Sequence, residues 1–246
     1  MPLRQLASDS FRFQCHKGIE CFTKCCAALQ LVLSPYDIIR MKKRLNMPSQ
    51  EFLEHYTITK MDDHKRFPMV YLKMSPDDNK RCPFVSPNGC TIYEDRPGAC
   101  RIYPLGRATA KPEGGRNNTI EDFFVVEEAH CLGFKEEKEW SIDEWMKNEG
   151  LKEYNEMNDH WLDILASGKS LGQNEDVPRK IQMFFMASYN LDRFRDFIFR
   201  SRFLDLFHIE SDLRDSLKSD DVALLIFAFD WLKFSLFGEQ TIHIKS

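Results

Sequence analysis

All eight cysteines of this 246-residue chain, Cys15, Cys21, Cys25, Cys26, Cys82, Cys90, Cys100 and Cys131, fall within its first 131 residues, and none follows. With 43% hydrophobic residues, a chain of this length can bury a substantial core without covalent cross-links. Thiols clustered in one half are therefore read first as ligands, and a cysteine-supported metal centre is the leading expectation. A disulfide framework is the alternative that an oxidising compartment would favour.

The opening stretch MPLRQLASDSFRFQC lacks the apolar run of a secretory signal, so the cytoplasm is the expected location and the thiols are expected to stay reduced. A formal net charge of −4 argues against broad, non-specific attraction to nucleic acid. A local basic surface around Arg96, Arg101, Arg107, Lys111 and Arg116 is the one feature that points the other way. The most apolar stretch, VALLIFAFDWLKFSLF from Val222 to Phe237, is interrupted by Asp230 and Lys233 and is shorter than the roughly 20 residues that cross a bilayer. It reads as a buried terminal helix, with no transmembrane segment in the chain.

The pattern along the chain is that of an α+β protein. Leu29, Leu31 and Leu33 alternate as in a half-buried strand. Ser34-Pro35 then supplies a helix cap followed by proline in the first turn, with Ile38, Met41 and Leu45 on one face. Pro48 ends that helix, and a second begins near Ser49. From 66 to 110, proline, asparagine and glycine turns separate short strands such as Met69–Met74. Residues 111–118, KPEGGRNN, read as a turn or loop before a strand over Ile120–Val126.

Beyond Ser141 the chain becomes helical. Ser141 and Glu144 form a capping-box pattern, and Trp145, Tyr154, Trp161, Leu162 and Leu165 mark an apolar face. The polar run SGKSLGQNEDVP is an internal boundary. Another helix is expected from Pro178 through Phe184, Phe185, Tyr189, Phe194, Phe197 and Ile198, with more around 201–218 and 220–237. The expected organisation is a cysteine-cluster metal-binding domain over 1–139 and a predominantly helical extension over 140–246, which could also pack into the same globular unit.

The first thiol group has the spacing C-x5-C-x3-C-C. On a helix, Cys21 and Cys25 share a face while Cys26 is rotated by about 100°; on a strand, Cys25 and Cys26 point to opposite sides. Either geometry divides the adjacent pair between metal positions or between two sides of a polynuclear cluster. The second group is C-P-F-x5-C-x9-C-R-x-Y-P, from Cys82 to Pro104. Thiolates suit zinc, Cu(I) and iron-sulfur centres, and eight suffice for two four-thiolate sites or for one cluster and a smaller site. Arg96 and Arg101 are candidates to offset the negative charge of such a centre, with salt bridges from Arg96 to Glu94 or Asp95 as the alternative. Tyr93 and Tyr103 read as packing residues with hydroxyls at the rim. His16 and His130, each beside a cysteine, are weaker candidate ligands.

CHKGIECFTKCC, LVLSPYDIIRMKKRLNMPSQEFLEHY, CPFVSPNGCTIYEDRPGACRIYPLG and the later Cys131 occur in this order over residues 15 to 131. In that order the chain resembles the YkgJ-like cysteine-cluster family, described as zinc- or iron-chelating domains. The resemblance implies that all eight cysteines are metal ligands. It also places the family's Tyr-x-x-Arg-Pro and Cys-Arg-x-Tyr-Pro elements on Tyr93, Arg96, Pro97, Cys100, Arg101, Tyr103 and Pro104. The gap between Cys15 and Cys21 is wider than the compact C-x2-C that often opens the family, which sets Cys15 apart.

Dinucleotide, phosphate-loop, HExxH and nucleophile-elbow motifs are all missing from the sequence. Three functions follow from the residues. The first is a cytoplasmic metal-binding protein with a multi-cysteine zinc or iron centre, an iron-sulfur cluster included. The second is an iron-sulfur oxidoreductase or electron-transfer component. The third is a zinc-stabilised interaction module that meets a protein partner through the helical extension.

Overall fold

The computed structural model describes residues 3–6, 9–61, 66–110, 120–172 and 175–245. The protein is mixed α+β, with short antiparallel strand pairs and a helical carboxy-terminal part. It divides into two compact units, each made of two stretches of chain: Met1–Leu29 with Met74–Glu153, and Gln30–Lys73 with Tyr154–Ser246.

The first unit is built on short ladders. Ile120–Val126 is the central strand of a three-stranded antiparallel sheet, between Leu3–Gln5 and Leu105–Ala110. The expected strand over Ile120–Val126 is therefore present, while KPEGGRNN lies outside the described residues. Ser10–Arg12 pairs with Glu139–Ser141, and Val85–Ser86 with Gly89–Cys90. A core of Phe11, Phe13, Leu105, Val125 and Trp145 sits beneath, its rings meeting edge to face: Phe13 lies 5.7 Å from Trp145 and Phe11 5.8 Å. The two indole N–H groups are satisfied, Trp140 donating to the Phe13 carbonyl and Trp145 to the Ile102 carbonyl, each at 3.0 Å. Ser141 and Glu144 form the expected capping box at the start of Ile142–Asn148. That helix stops before Gly150, whose φ of +61° suits glycine.

The second unit is mainly helical. Ser34 caps Pro35–Leu45 in a capping box with Asp37, and the helix ends on left-handed Asn46; Ser49–Tyr56 follows, with Pro48 at its cap. The alternating leucines run extended beside a strand, the Leu33 amide donating to Val70 at 2.8 Å and the Leu72 amide to Leu31 at 2.9 Å. The strand at Met69–Leu72 pairs with Thr57–Lys60, a strand that the periodicity does not announce. The single helix expected from Pro178 to Ile198 is two, Val177–Tyr189 and Leu191–Arg200. Asn190 breaks it by capping the second with its side chain. The run SGKSLGQNEDVP links two helices of this one unit, Lys152–Leu165 and Val177–Tyr189.

Asp220 caps Asp221–Phe237, accepting from the Val222 and Ala223 amides, and left-handed Gly238 ends it. This helix is buried on most of its circumference, through Leu224, Leu225, Phe227, Ala228, Trp231, Leu232 and Leu236. Burial of each such large side chain contributes about 1.5–3 kcal/mol, so its aromatic residues serve the core. Among the described residues, no helix is long and apolar enough to cross a membrane.

One polar cluster lies within this unit. Lys42, nearly buried, reaches Asp192 at 3.2 Å and Asp221 at 2.9 Å, and Arg195 bonds the same two carboxylates. Two cations thus face two anions, and the buried Lys42 has its charge balanced.

Candidate metal centre

All eight cysteines lie in the first unit and all are free thiols.

The first thiol group sits on consecutive tight turns rather than on the helix or strand considered from spacing. Successive amides reach back three residues, Phe22 to Ile19, Lys24 to Cys21 and Cys26 to Thr23, at 2.9–3.0 Å. Thr23 turns the chain with a φ of +65°, an outlying conformation for a β-branched residue. Arg81 holds it there, donating to the Thr23 carbonyl at 3.2 Å and to its hydroxyl at 3.3 Å. Immediately after Arg81, the Cys82 amide donates to the Cys26 carbonyl at 2.9 Å. A short antiparallel bridge, Ala27 to Arg81, thus joins the two cysteine groups. Beyond it, Cys90 lies in the hairpin strand opposite Val85.

The sulfurs form a neighbourhood. Cys15 feels Cys25, Cys21 and Cys131, and Cys131 in turn feels Cys21 and Cys25. The neighbouring Cys26 thiol acts on Cys25. Cys82 and Cys90 interact as a second pair. The Leu132 amide donates to the Cys21 sulfur at 3.2 Å.

Burial, together with neighbouring thiols, pushes the Cys15 thiol up to about 11 despite the attraction of Arg96. Cys25 is raised further, first by its bond to Cys26 and then by burial. Burial also raises Cys82, Cys90 and Cys131. Without metal, then, these groups are neutral thiols at pH 7, and a metal ion binding them displaces protons.

Arg96 and Arg101 are both buried. Arg96 pairs with the Glu149 carboxylate, donates to the Tyr93 carbonyl at 2.7 Å and lies 3.7 Å over the Tyr93 ring. It still exerts a favourable pull on Cys15 and Cys90 thiolates. Arg101 donates to the carbonyls of Arg96, Glu149 and Glu94, so it ties the loop around Arg96 together. Arg107 pairs with Glu121, and Lys111 and Arg116 lie outside the described residues. His16 is engaged on both ring nitrogens, by Glu136 at 3.3 Å and the Gly18 amide at 3.1 Å, and His130 pairs with Glu128 at 3.0 Å.

Sequence reasoning missed one residue here: Glu149, distant in sequence, is the partner of Arg96. Tyr103 packs against the core as expected, but its hydroxyl is shielded from solvent instead of lying at the rim, and burial raises its acidity constant above the ordinary phenol value.

Soft thiolate donors with a buried guanidinium nearby fit zinc or iron. Among the described residues, no three His, Cys, Asp or Glu groups already stand around a common metal position.

An α+β unit presenting free thiols from turns and a hairpin is a cysteine-cluster domain. The chain belongs to the CxxCxxCC family, described as a putative zinc- or iron-chelating domain, whose model matches residues 14–138, just over half of the chain. The family supports a metal-binding role with zinc or iron as the metal. No curated protein and no solved structure matches the chain.

Proposed function

We propose that this is a cytoplasmic metal-binding protein whose centre takes zinc or iron through thiolates drawn from Cys15, Cys21, Cys25, Cys26, Cys82, Cys90, Cys100 and Cys131. The observation that carries the reading is the junction of the two thiol groups: the Cys82 amide bonds the Cys26 carbonyl beside the Ala27–Arg81 bridge. Arg96 offsets the negative charge that several thiolates accumulate, and Arg101 positions it.

A second reading, an iron-sulfur electron-transfer or redox component, is favoured by the eight free thiols of the first unit. A set larger than one tetrahedral ion requires suits a polynuclear centre.

Anaerobic purification followed by metal and acid-labile sulfide analysis tests both. Stoichiometric zinc without sulfide supports the first reading and removes the second, whereas iron with matching sulfide selects the cluster. Protein that retains neither metal, and takes up neither on reconstitution, overturns both.

A further inference from the structure

We infer that Arg81 is a positioning residue of the thiol junction: its guanidinium clamps Thr23 in a backbone conformation that threonine disfavours, and so sets the turn that carries Cys21, Cys25 and Cys26 before metal binds. The inference rests on the metal-binding reading above and deepens it with a residue that acts through the turn rather than as a ligand.

Among the described residues, four other than glycine have a positive φ: Thr23 at +65°, Ala28 at +53°, Asn46 at +52° and Lys80 at +45°. Asn46 ends a helix, where a left-handed residue is common. The other three surround the junction, Thr23 and Ala28 on either side of Cys25 and Cys26, and Lys80 just before Arg81 and Cys82. In this conformation a Cβ crowds the following carbonyl oxygen, most severely in a β-branched residue such as Thr23. Residues held in this way persist only where their surroundings over-determine them, and they gather at functional sites.

The surroundings are specific. The Thr23 carbonyl accepts from the Cys26 amide at 3.0 Å and from Arg81 Nη1 at 3.2 Å, and its hydroxyl accepts from Arg81 Nη2 at 3.3 Å. Arg81 is fixed in turn, its amide donating to the Ser75 hydroxyl at 2.7 Å and its carbonyl accepting from the Ser75 amide at 2.8 Å. The Ala28 amide donates to the Lys80 carbonyl at 2.9 Å, and the Lys80 amide donates to Asp77. Two arms of one planar fork thus meet two oxygens of one residue, a geometry that an ammonium group does not reproduce.

A turn that its own residues disfavour opens when its clamp is lost. Binding must then order it again, and that ordering is taken from the affinity. Arg81 removes this cost for the segment carrying three of the thiols. Glycine at position 23 removes it by a different route, because glycine adopts the left-handed conformation freely. A defect at Arg81 is therefore repaired at Thr23, which general loss of packing at Arg81 does not predict.

The test compares the full chain with Arg81→Met, Thr23→Gly and the double variant, purified anaerobically. It reads hydrogen exchange at the Lys24 and Cys26 amides without metal, and zinc affinity in competition with a chromophoric chelator. Expected for Arg81→Met are exchange about tenfold faster at both amides and zinc binding about tenfold weaker at unchanged stoichiometry. Thr23→Gly is expected to match the parent chain, and the double variant to regain the parent's protection and affinity. If Arg81→Met does not fold, Arg81→Lys with and without Thr23→Gly carries the same comparison. Unchanged exchange in the folded Arg81 variant, or a double variant as weak as the single one, overturns the inference. Faster exchange with unchanged zinc affinity also overturns it, while leaving the metal-binding reading intact. A parent chain that takes up neither zinc nor iron removes both.

Discussion

The amide of Cys82 donates to the carbonyl of Cys26 at 2.9 Å, fastening the start of the second thiol group to the end of the first. Two groups more than fifty residues apart in the chain thereby become one neighbourhood. Residues in direct contact show coupling energies of about 0.5–3 kcal/mol. Zinc or iron affinities of Cys26→Ser, Cys82→Ser and the double variant are therefore expected to be non-additive, the double losing less than the sum. Strict additivity in a chelator competition would show that the two serve independent sites.

Arg96 is a buried cation whose carboxylate partner is Glu149. Removing one member of a buried pair costs about 3–5 kcal/mol, because the other is left uncompensated. Glu149→Ala is expected to lower stability by that order in urea unfolding of the metal-free protein. Loading with metal is expected to recover part of the loss, since the thiolates give Arg96 a new counter-charge. Equal losses with and without metal would show that Arg96 does not act on the centre.

Gly133 lies two residues past Cys131 and beneath Phe13. A Cβ there would stand 2.6 Å from the Phe13 ring and 3.0 Å from the Gln14 carbonyl, next to Cys15. Gly133→Ala is expected to destabilise the first unit by about 1–3 kcal/mol, the range for overpacking. Faster metal loss to a chelator is expected with it, because the push falls on the segment that carries Cys15.

In the second unit, Asp192 loses affinity for protons on folding. Its burial acts to raise its acidity constant, but the Ser49 amide at 2.6 Å and Lys42 outweigh this and hold the carboxyl below its ordinary value. A group depressed in this way contributes stability above its unfolded-state value and loses that contribution as the pH falls through its folded one. Stability is therefore expected to decline below about pH 4, and Asp192→Asn to flatten that decline. Urea midpoints of the two proteins between pH 7 and pH 3 check this; identical slopes would refute it.

Much of the local structure was legible in the sequence, because capping and strand pairing leave short-range signatures. Ser34 with Asp37 and Ser141 with Glu144 announce helix starts, and the apolar run from Val222 announces the terminal helix. The α+β class and the family follow from the same reading, since thiol spacing and turn residues are written in order along the chain. Breaks were harder: Asn190 splits one expected helix through a side-chain cap that periodicity does not register. The strand Thr57–Lys60 was hidden because its partner, Met69–Leu72, supplies most of its reason to be extended.

By itself the sequence determined which atoms are available: eight thiols in one half, two arginines among them, and helices beyond. Only the tertiary structure decided which of them meet. Left-handed Thr23, held by Arg81, turns the loop that brings Cys26 to the Cys82 amide, Glu149 claims Arg96, and the Tyr103 hydroxyl is shielded from solvent. The physical reason is that these relations depend on long-range backbone bonds and on burial, which no spacing between neighbours encodes.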